Sequence, residues 1–459
     1  MTDSETRFSK LFMRGEFSLG FWSFVKKGVG FFDSFFILSS LSVYQYGVYQ
    51  LLLVLYAIFS DIFHDVFSSA VGNDLTRLIG EKREAEAKKL FYQYASLRIG
   101  LSIIPAILFF FIIPSFYLST LGTEAIIWLK TLALLFPIEA VFRLGLLLLN
   151  LRLEFKVVAI RPTLQKTIQL GLIIICFFSG TLTLTTIFFI QTATLVILLL
   201  LLYRPLFAAL RRWKDVQAHE IGLLSKIIFG YGKWEIPQLA FKDLMGKVNP
   251  FVIKLLLNTE AVGIYAVANT AISVLKDLLP VRTLSMLVPR KVHDEFFRNN
   301  LFFFGTKYYI LAALGVALFG AVTYPIFISV FFPKFASSLP VFYVLVPSIV
   351  IFAGVKLLSI LLLARRRQRF LFIQSMIDNI IQITLMFILA PKFGLIGFAA
   401  AIVGGDLLLQ ILRYAYLRRT GFVPAFPVDI FFNFQAEEDR KVLTLIRSNL
   451  FKFLRIKGA

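Results

Sequence analysis

Residues 242–277 read KDLMGKVNPFVIKLLLNTEAVGIYAVANTAISVLKD. The stretch predicts two apolar helices, the first carrying Lys242, Lys247 and Lys254, with a short turn at Gly263-Ile264-Tyr265. The second helix holds Lys276 and Asp277 near its middle. Moving every number down by 216 (242 − 26 = 216) lands on residues 26–61. There Lys26, Gly30, Phe35, Ile37, Gly47, Tyr49 and Asp61 repeat Lys242, Gly246, Phe251, Ile253, Gly263, Tyr265 and Asp277 without a gap. A lysine and an aspartate deep in apolar helices, with a Gly-x-Tyr between them, do not coincide readily in a chain rich in Phe and Leu. We read two homologous halves, each opening with a helical hairpin that carries charge at membrane depth, as in repeat-built transporters.

The composition fits that setting. Apolar residues make up 58% of the chain, 52 of its 459 residues are phenylalanine, and the mean hydropathy is +0.80. A soluble domain is only about half apolar. Apolar runs of about twenty residues recur, each long enough to cross a hydrocarbon core of about 30 Å as a helix. The chain is therefore expected to be an all-α polytopic membrane protein. The single cysteine, Cys176, lies in an apolar run, and three histidines are scattered. Neither a disulfide framework nor a metal site is expected.

The net charge of +21 does not point to nucleic acid, because its placement is topological. Most Lys and Arg fall in the two termini and in every second loop, which puts both termini in the cytoplasm. Spans are expected at about 15–41, 46–71, 95–117, 125–149, 158–179 and 183–203, and again at about 228–257, 261–288, 304–332, 340–363, 370–390 and 394–417. Residues 1–203 then form an N-terminal lobe, 204–227 a basic cytoplasmic connector, 228–418 a C-terminal lobe and 419–459 a cytoplasmic tail. Six spans per half give the halves the same orientation, so the lobes are parallel repeats. The basic amphipathic stretches 1–14 and 439–457 suit the inner leaflet, and residues 73–93 suit a solvated helix by their mixed charge.

Charges inside spans are the candidate site. Arg98, Lys130 and Arg413 sit near span ends, where they are expected to snorkel. Lys26 and Lys27 fall roughly 15 Å into the first span at about 1.5 Å per residue, as do Lys242 and Lys247 in the seventh. Each costs about 2.5–3.5 kcal/mol on insertion scales, so each must face protein or water. Asp243 with Lys247, and Glu139 with Arg143, are i,i+4 pairs, and Asp33 is a partner for Lys26. One reading makes these paired interior charges. The other takes Lys26, Lys27, Arg143, Lys233, Lys242, Lys247, Lys254 and Arg282 as a cationic cavity for an anionic substrate group. Lys276 and Lys356 belong to the same excess of cations. Gly28, Gly30, Pro237, Gly246 and Pro250 weaken the first and seventh spans, as in broken transport helices. Asp61 and Asp277 are candidates for ion coupling, with a structural role for Asp277 as the alternative.

The stretches Tyr46-Gly47-Val48-Tyr49 and Val262-Gly263-Ile264-Tyr265, then Leu361-Leu362-Leu363-Ala364-Arg365 and Ala390-Pro391-Lys392-Phe393-Gly394-Leu395-Ile396-Gly397, resemble polysaccharide-biosynthesis flippases of the multidrug/oligosaccharidyl-lipid/polysaccharide exporter (MOP) superfamily. The resemblance implies a MATE-like fold of twelve transmembrane helices, with two six-helix lobes around a central cavity. It implies translocation of an undecaprenyl-pyrophosphate-linked oligosaccharide from the inner to the outer leaflet of the bacterial inner membrane by alternating access, for O-antigen-type cell-surface polysaccharide. The implied partners are that lipid-linked oligosaccharide, membrane lipids and other polysaccharide-assembly proteins. No cofactor is implied beyond coupling to a proton or sodium gradient. Two rivals remain: a multidrug/cation antiporter of the same superfamily, whose cavity should be acidic or aromatic, and a membrane enzyme. For an enzyme the sequence offers neither a catalytic constellation nor a sizeable outer loop.

Overall fold

The computed structural model describes residues 22, 25–64, 67–115, 124–152, 155–211, 213, 216, 224–225, 246–279, 301–364 and 368–425. Lys233, Lys242, Asp243, Pro237, Arg282 and the two expected membrane-surface stretches lie outside these residues. The chain divides into a unit of Met1–Phe251 and a unit of Val252–Ala459. Among the described residues every regular element is a helix, and seven helical segments are long and apolar enough to cross a membrane. The expected count of twelve extends over residues outside those described.

In the first unit, α1 (25–40) is followed by α2 (Val43–His64), α3 (Ser68–Gly80), α4 (Glu84–Ile107), α5 (Glu124–Leu151), α6 (Phe155–Phe178) and α7 (Leu184–Arg211). A π-turn at Leu108–Ile112 extends α4. Helix α5 is the centre of this unit. It buries Leu129, Leu132, Phe136, Ala140, Leu144 and Leu148 at three- and four-residue spacing and packs on α4 and α7, the ordinary consequence of a 3.6-residue period. Outward-facing Leu200 and Phe178 are 70% and 79% exposed, a surface only hydrocarbon would cover without penalty.

The expected solvated helix at 73–93 is instead two amphipathic pieces. Val71, Leu75 and Leu78 of α3 and Ala87, Leu90, Phe91 and Tyr94 of α4 form one buried cluster with Trp213. Their spacing makes an apolar stripe that the mixed surface charge concealed. The fully buried Trp213 packs on Phe91 at 5.4 Å between centroids, and the Arg152 guanidinium stacks on its indole at 4.9 Å.

Helix α8 (Asn249–Leu256) contains the boundary at Phe251, and the second unit continues through α9 (Thr259–Lys276), α10 (Thr306–Phe331), α11 (Ser338–Leu345) and α12 (Pro347–Ala364). The helical stretch Gln368–Arg419 follows, broken at Gly394 (φ 60°, ψ −142°) into α13 (368–393) and α14 (395–419). Only glycine adopts that backbone without strain, so the expected boundary between the last two spans is fixed there. Helix α12 packs on α10 and on α13–α14, and α9 packs on α11.

The offset of 216 survives in the backbone of both units. Helix α2 begins after Leu41-Ser42 and α9 after Leu257-Asn258. Ser42 and Asn258 occupy the same position and do the same work. The Gln45 amide N–H donates to Ser42 Oγ at 3.1 Å, and the Ala261 amide N–H to Asn258 Oδ1 at 2.7 Å. Each side chain thus satisfies an otherwise orphaned helical donor. The turn expected at Gly263-Ile264-Tyr265 is therefore displaced: the break precedes it, and Gly47, Tyr49, Gly263 and Tyr265 are buried within the first turns of α2 and α9. Lys276-Asp277 likewise ends α9 and does not occupy its middle.

Candidate functional site

A cavity of about 640 Å³ lies within the first unit. Its polar wall comes from α2 (Tyr49, Tyr56), α4 (Arg98), α5 (Glu139, Arg143, Asn150), α6 (Arg161, Gln165, Lys166, Gln169) and α7 (Gln191, Thr194). Four cations therefore face one carboxylate. Arg161, Gln165 and Gln169, with Lys166 beside them, form a polar stripe along α6 because residues three and four apart share a helical face.

The cations are held differently. Arg143 bridges Glu139 at 2.8 Å and lies 3.7 Å from Asp61. Asp61 also accepts from Lys247 Nζ. Lys166 bridges Asp33 at 2.9 Å, and Gln169 Nε2 donates to the same Asp33 oxygen at 3.4 Å. Arg161 donates to Gln165 at 3.0 Å and stacks on Phe142 at 4.6 Å. Glu139 is within its electrostatic reach, and its buried Nε has no acceptor among the described residues. A buried guanidinium N–H left open is costly, and a ligand anion would satisfy it in the forked geometry that favours arginine for phosphate or carboxylate.

One end of the cavity is a hydrogen-bonded chain. Glu139 Oε2 accepts from Tyr56 Oη and stands 2.9 Å from Ser60 Oγ. Ser60 Oγ stands 3.1 Å from His64 Nδ1, and the fully buried His64 places Nε2 3.0 Å from the Phe136 carbonyl.

The family whose description is "Polysaccharide biosynthesis protein" matches residues 40–293. The chain belongs to the polysaccharide biosynthesis protein family. Solved structures with the same fold include an inward-facing multidrug-resistance MATE transporter of the MOP superfamily, with TM-score 0.69 and 13% identity over 86% of this chain and 94% of that one. The lipid II flippase MurJ in an inward closed conformation aligns with TM-score 0.66 and 14% identity over 90% and 89%. A MOP-superfamily transporter from Pyrococcus furiosus, described as having a binding pocket of reverse polarity, aligns with TM-score 0.60 and 14% identity over 89% and 94%. No curated protein sequence matches. The expected resemblance to polysaccharide-biosynthesis proteins with the MOP fold is thus met.

Within this family member the predicted site residues divide. Arg143, Asp61 and Lys247 come together in one ionic network. Lys26 and Lys27 are exposed on α1, with Lys26 in electrostatic reach of Arg161 and Lys166. Lys254 is half-buried on α8, and Asp277 is exposed at the end of α9. Lys276 and Lys356 flank the Phe352 ring at 5.4 and 5.2 Å. Lys233, Lys242 and Arg282 lie outside the described residues.

Two expectations fail on physical grounds. Asp33 pairs with Lys166 of α6 instead of Lys26 on its own helix. Arg98 and Arg413, expected to snorkel, are 3% and 8% exposed. Arg413 turns inward to Gln374 at 3.2 Å and to Ser359 Oγ at 2.5 Å, where interior polar groups accept its N–H donors. Arg161 and Lys166 were missed as site residues. The signal that marks them is the polar stripe Arg161, Gln165 and Gln169 at four-residue spacing inside an apolar span.

Proposed function

We propose that this protein is a flippase that moves a lipid-linked oligosaccharide, carried on undecaprenyl pyrophosphate, from the inner to the outer leaflet of the bacterial inner membrane. In this reading two parallel six-helix lobes alternate access, with both termini in the cytoplasm and the polyprenyl tail remaining in hydrocarbon. The observation that carries it is the cavity of the first unit, whose wall holds Arg98, Arg143, Arg161 and Lys166 with Glu139, Lys166 being paired with Asp33 and Arg143 lying near Asp61. A diphosphate needs forked, charge-assisted donors, and a glycan needs neutral hydrogen-bonding groups such as Asn150, Gln165, Gln191 and Tyr49. Moving a charged head through lipid would cost several kcal/mol, which a polar protein path avoids. Family membership supports the pathway, and the fold supports the mode of action.

A multidrug/cation antiporter of the same superfamily would share this fold, but a cationic drug would meet repulsion in this cavity. The test is deletion of the gene followed by identification of the lipid-linked intermediate that accumulates on the inner leaflet. Complementation with Arg161→Ala should leave protein abundance unchanged and lower export about tenfold or more, the loss of at least 1.4 kcal/mol expected for a charge-assisted contact. No accumulating glycolipid, together with drug sensitivity, would overturn the reading in favour of the antiporter.

A further inference from the structure

His64 is buried without a role in holding an anion, and its hydrogen bonds constrain where protons sit. The Phe136 carbonyl only accepts, so Nε2 must carry a proton. Ser60 has one proton and two neighbours, His64 Nδ1 at 3.1 Å and Glu139 Oε2 at 2.9 Å. Its lone pairs also receive Arg143 Nη2 at 3.3 Å. With a neutral imidazole and an ionised carboxylate, one of the two Ser60 contacts lacks a hydrogen. Both are filled only when the trio holds one additional proton. That proton sits on Nδ1, with Nδ1–H donating to Ser60 and Ser60 to Glu139, or on Glu139, with the carboxyl donating to Ser60 and Ser60 to Nδ1.

We infer that His64, Ser60 and Glu139 form a one-proton relay between the buried core of the first unit and the cavity. In the transfer the Nδ1–H bond breaks as Ser60 Oγ gains that proton, and the original Ser60 O–H proton passes to Glu139 Oε2. One proton moves, no electrons are exchanged, and an imidazolium–carboxylate pair becomes a neutral pair. The groups that bias it are all near. Arg143 Nε holds Glu139 Oε1 at 2.9 Å, Tyr56 donates to Oε2, and Arg98 of α4 is within electrostatic reach of His64. Asp61, held by Lys247, competes for Arg143. While Arg143 faces Glu139 the carboxylate form of Glu139 is favoured. An anion that draws Arg143 into the cavity removes that support and favours transfer to Glu139. Ligand binding and protonation are then linked. This coupling, unlike the relay itself, rests on the transport reading above.

The full-length protein in lipid nanodiscs, with ring-labelled ¹⁵N-histidine, tests the relay. The sequence has three histidines, so His64→Gln assigns the signal. In the wild type, His64 Nδ1 and a carboxylic-acid infrared band that disappears in Glu139→Gln should respond to pH together, as two sites sharing one proton. Glu139→Gln should move the His64 midpoint by about one pH unit or more, the scale of coupled groups. Ser60→Ala, a milder change, should separate the two titrations. Identical His64 titrations in the wild type and both variants would overturn the relay. Inorganic pyrophosphate should then shift the proton from His64 to the carboxyl band. A shared titration indifferent to pyrophosphate would keep the relay and sink its coupling to an anion.

Discussion

Helices α1–α2 and α8–α9 share a scaffold and differ in chemistry. Both break at a capped residue, Ser42 or Asn258, and both bury a glycine and a tyrosine two residues apart. Yet Tyr56, Ser60 and His64, one face of α2 at four-residue spacing, stand at positions matched 216 residues later by Ile272, Lys276 and Pro280. Asp61 is enclosed by Arg143 and Lys247, whereas Asp277 is exposed. In the second unit the nearby cations rest on an aromatic face, Phe352, with Asp406 in electrostatic reach of Lys276 and Arg413. Caps and packing residues are tied to backbone geometry, so they tolerate little change. Charges are tied only to one another, so each half was free to build its own set.

The largest effect should come from separating the two kinds of cation. Lys166→Met strands Asp33, 5% exposed at its side chain, without its cation. Removing one partner of a buried pair costs about 3–5 kcal/mol, and the partial exposure of Lys166 puts this case near the lower figure. Lys356→Met loses a cation–aromatic contact worth about 0.5–1 kcal/mol at a partly wet site. Thermal unfolding in detergent should separate the two clearly, and Asp33→Asn should restore much of what Lys166→Met loses. Equal losses for Lys166→Met and Lys356→Met would erase the distinction between the units.

A smaller effect distinguishes the equivalent aspartates in function. Asp61→Asn frees Lys247 and Arg143 from one acid, and export should fall about tenfold, or 1.4 kcal/mol, with normal protein abundance. Asp277→Asn, a change at an exposed position, should lower export by less than Asp61→Asn does. Matching losses at the two positions would mean that the second unit carries an equivalent network.

The helical class and the membrane setting were legible from apolar runs, and the 216-residue offset marked two regions that share a capped helix start. Glu139–Arg143 was legible because a pair on one helix is set by sequence spacing alone. Asp33–Lys166 and Asp61–Lys247 were not, because |i−j| exceeds a hundred residues in each and tertiary packing chooses among several cations. Arg98 was misread for a related reason: distance from a span end says how far a side chain is from the headgroups, but not that Tyr94 stacks beneath it at 5.7 Å. The break lies ahead of the Gly-x-Tyr because the cap and not the glycine sets the helix start, and Ser42 with Gln45 forms a capping box readable in sequence.

That cap supplies the smallest and sharpest comparison. At the first hairpin the box is reciprocal, since the Ser42 amide N–H also donates to Gln45 Oε1 at 3.0 Å. At the second, Asn258 acts alone, because its partner position is Ala261. Ser42→Ala and Asn258→Ala should each cost about 1 kcal/mol, the usual value of an N-cap, seen as a small fall in the unfolding midpoint. Completing the second box with Ala261→Gln should not help. Gln45 is exposed, but Ala261 is only 6% exposed, so a glutamine there must displace packed neighbours, and overpacking costs about 1–3 kcal/mol. A stabilising Ala261→Gln would mean that the two breaks are interchangeable in packing as well as in register.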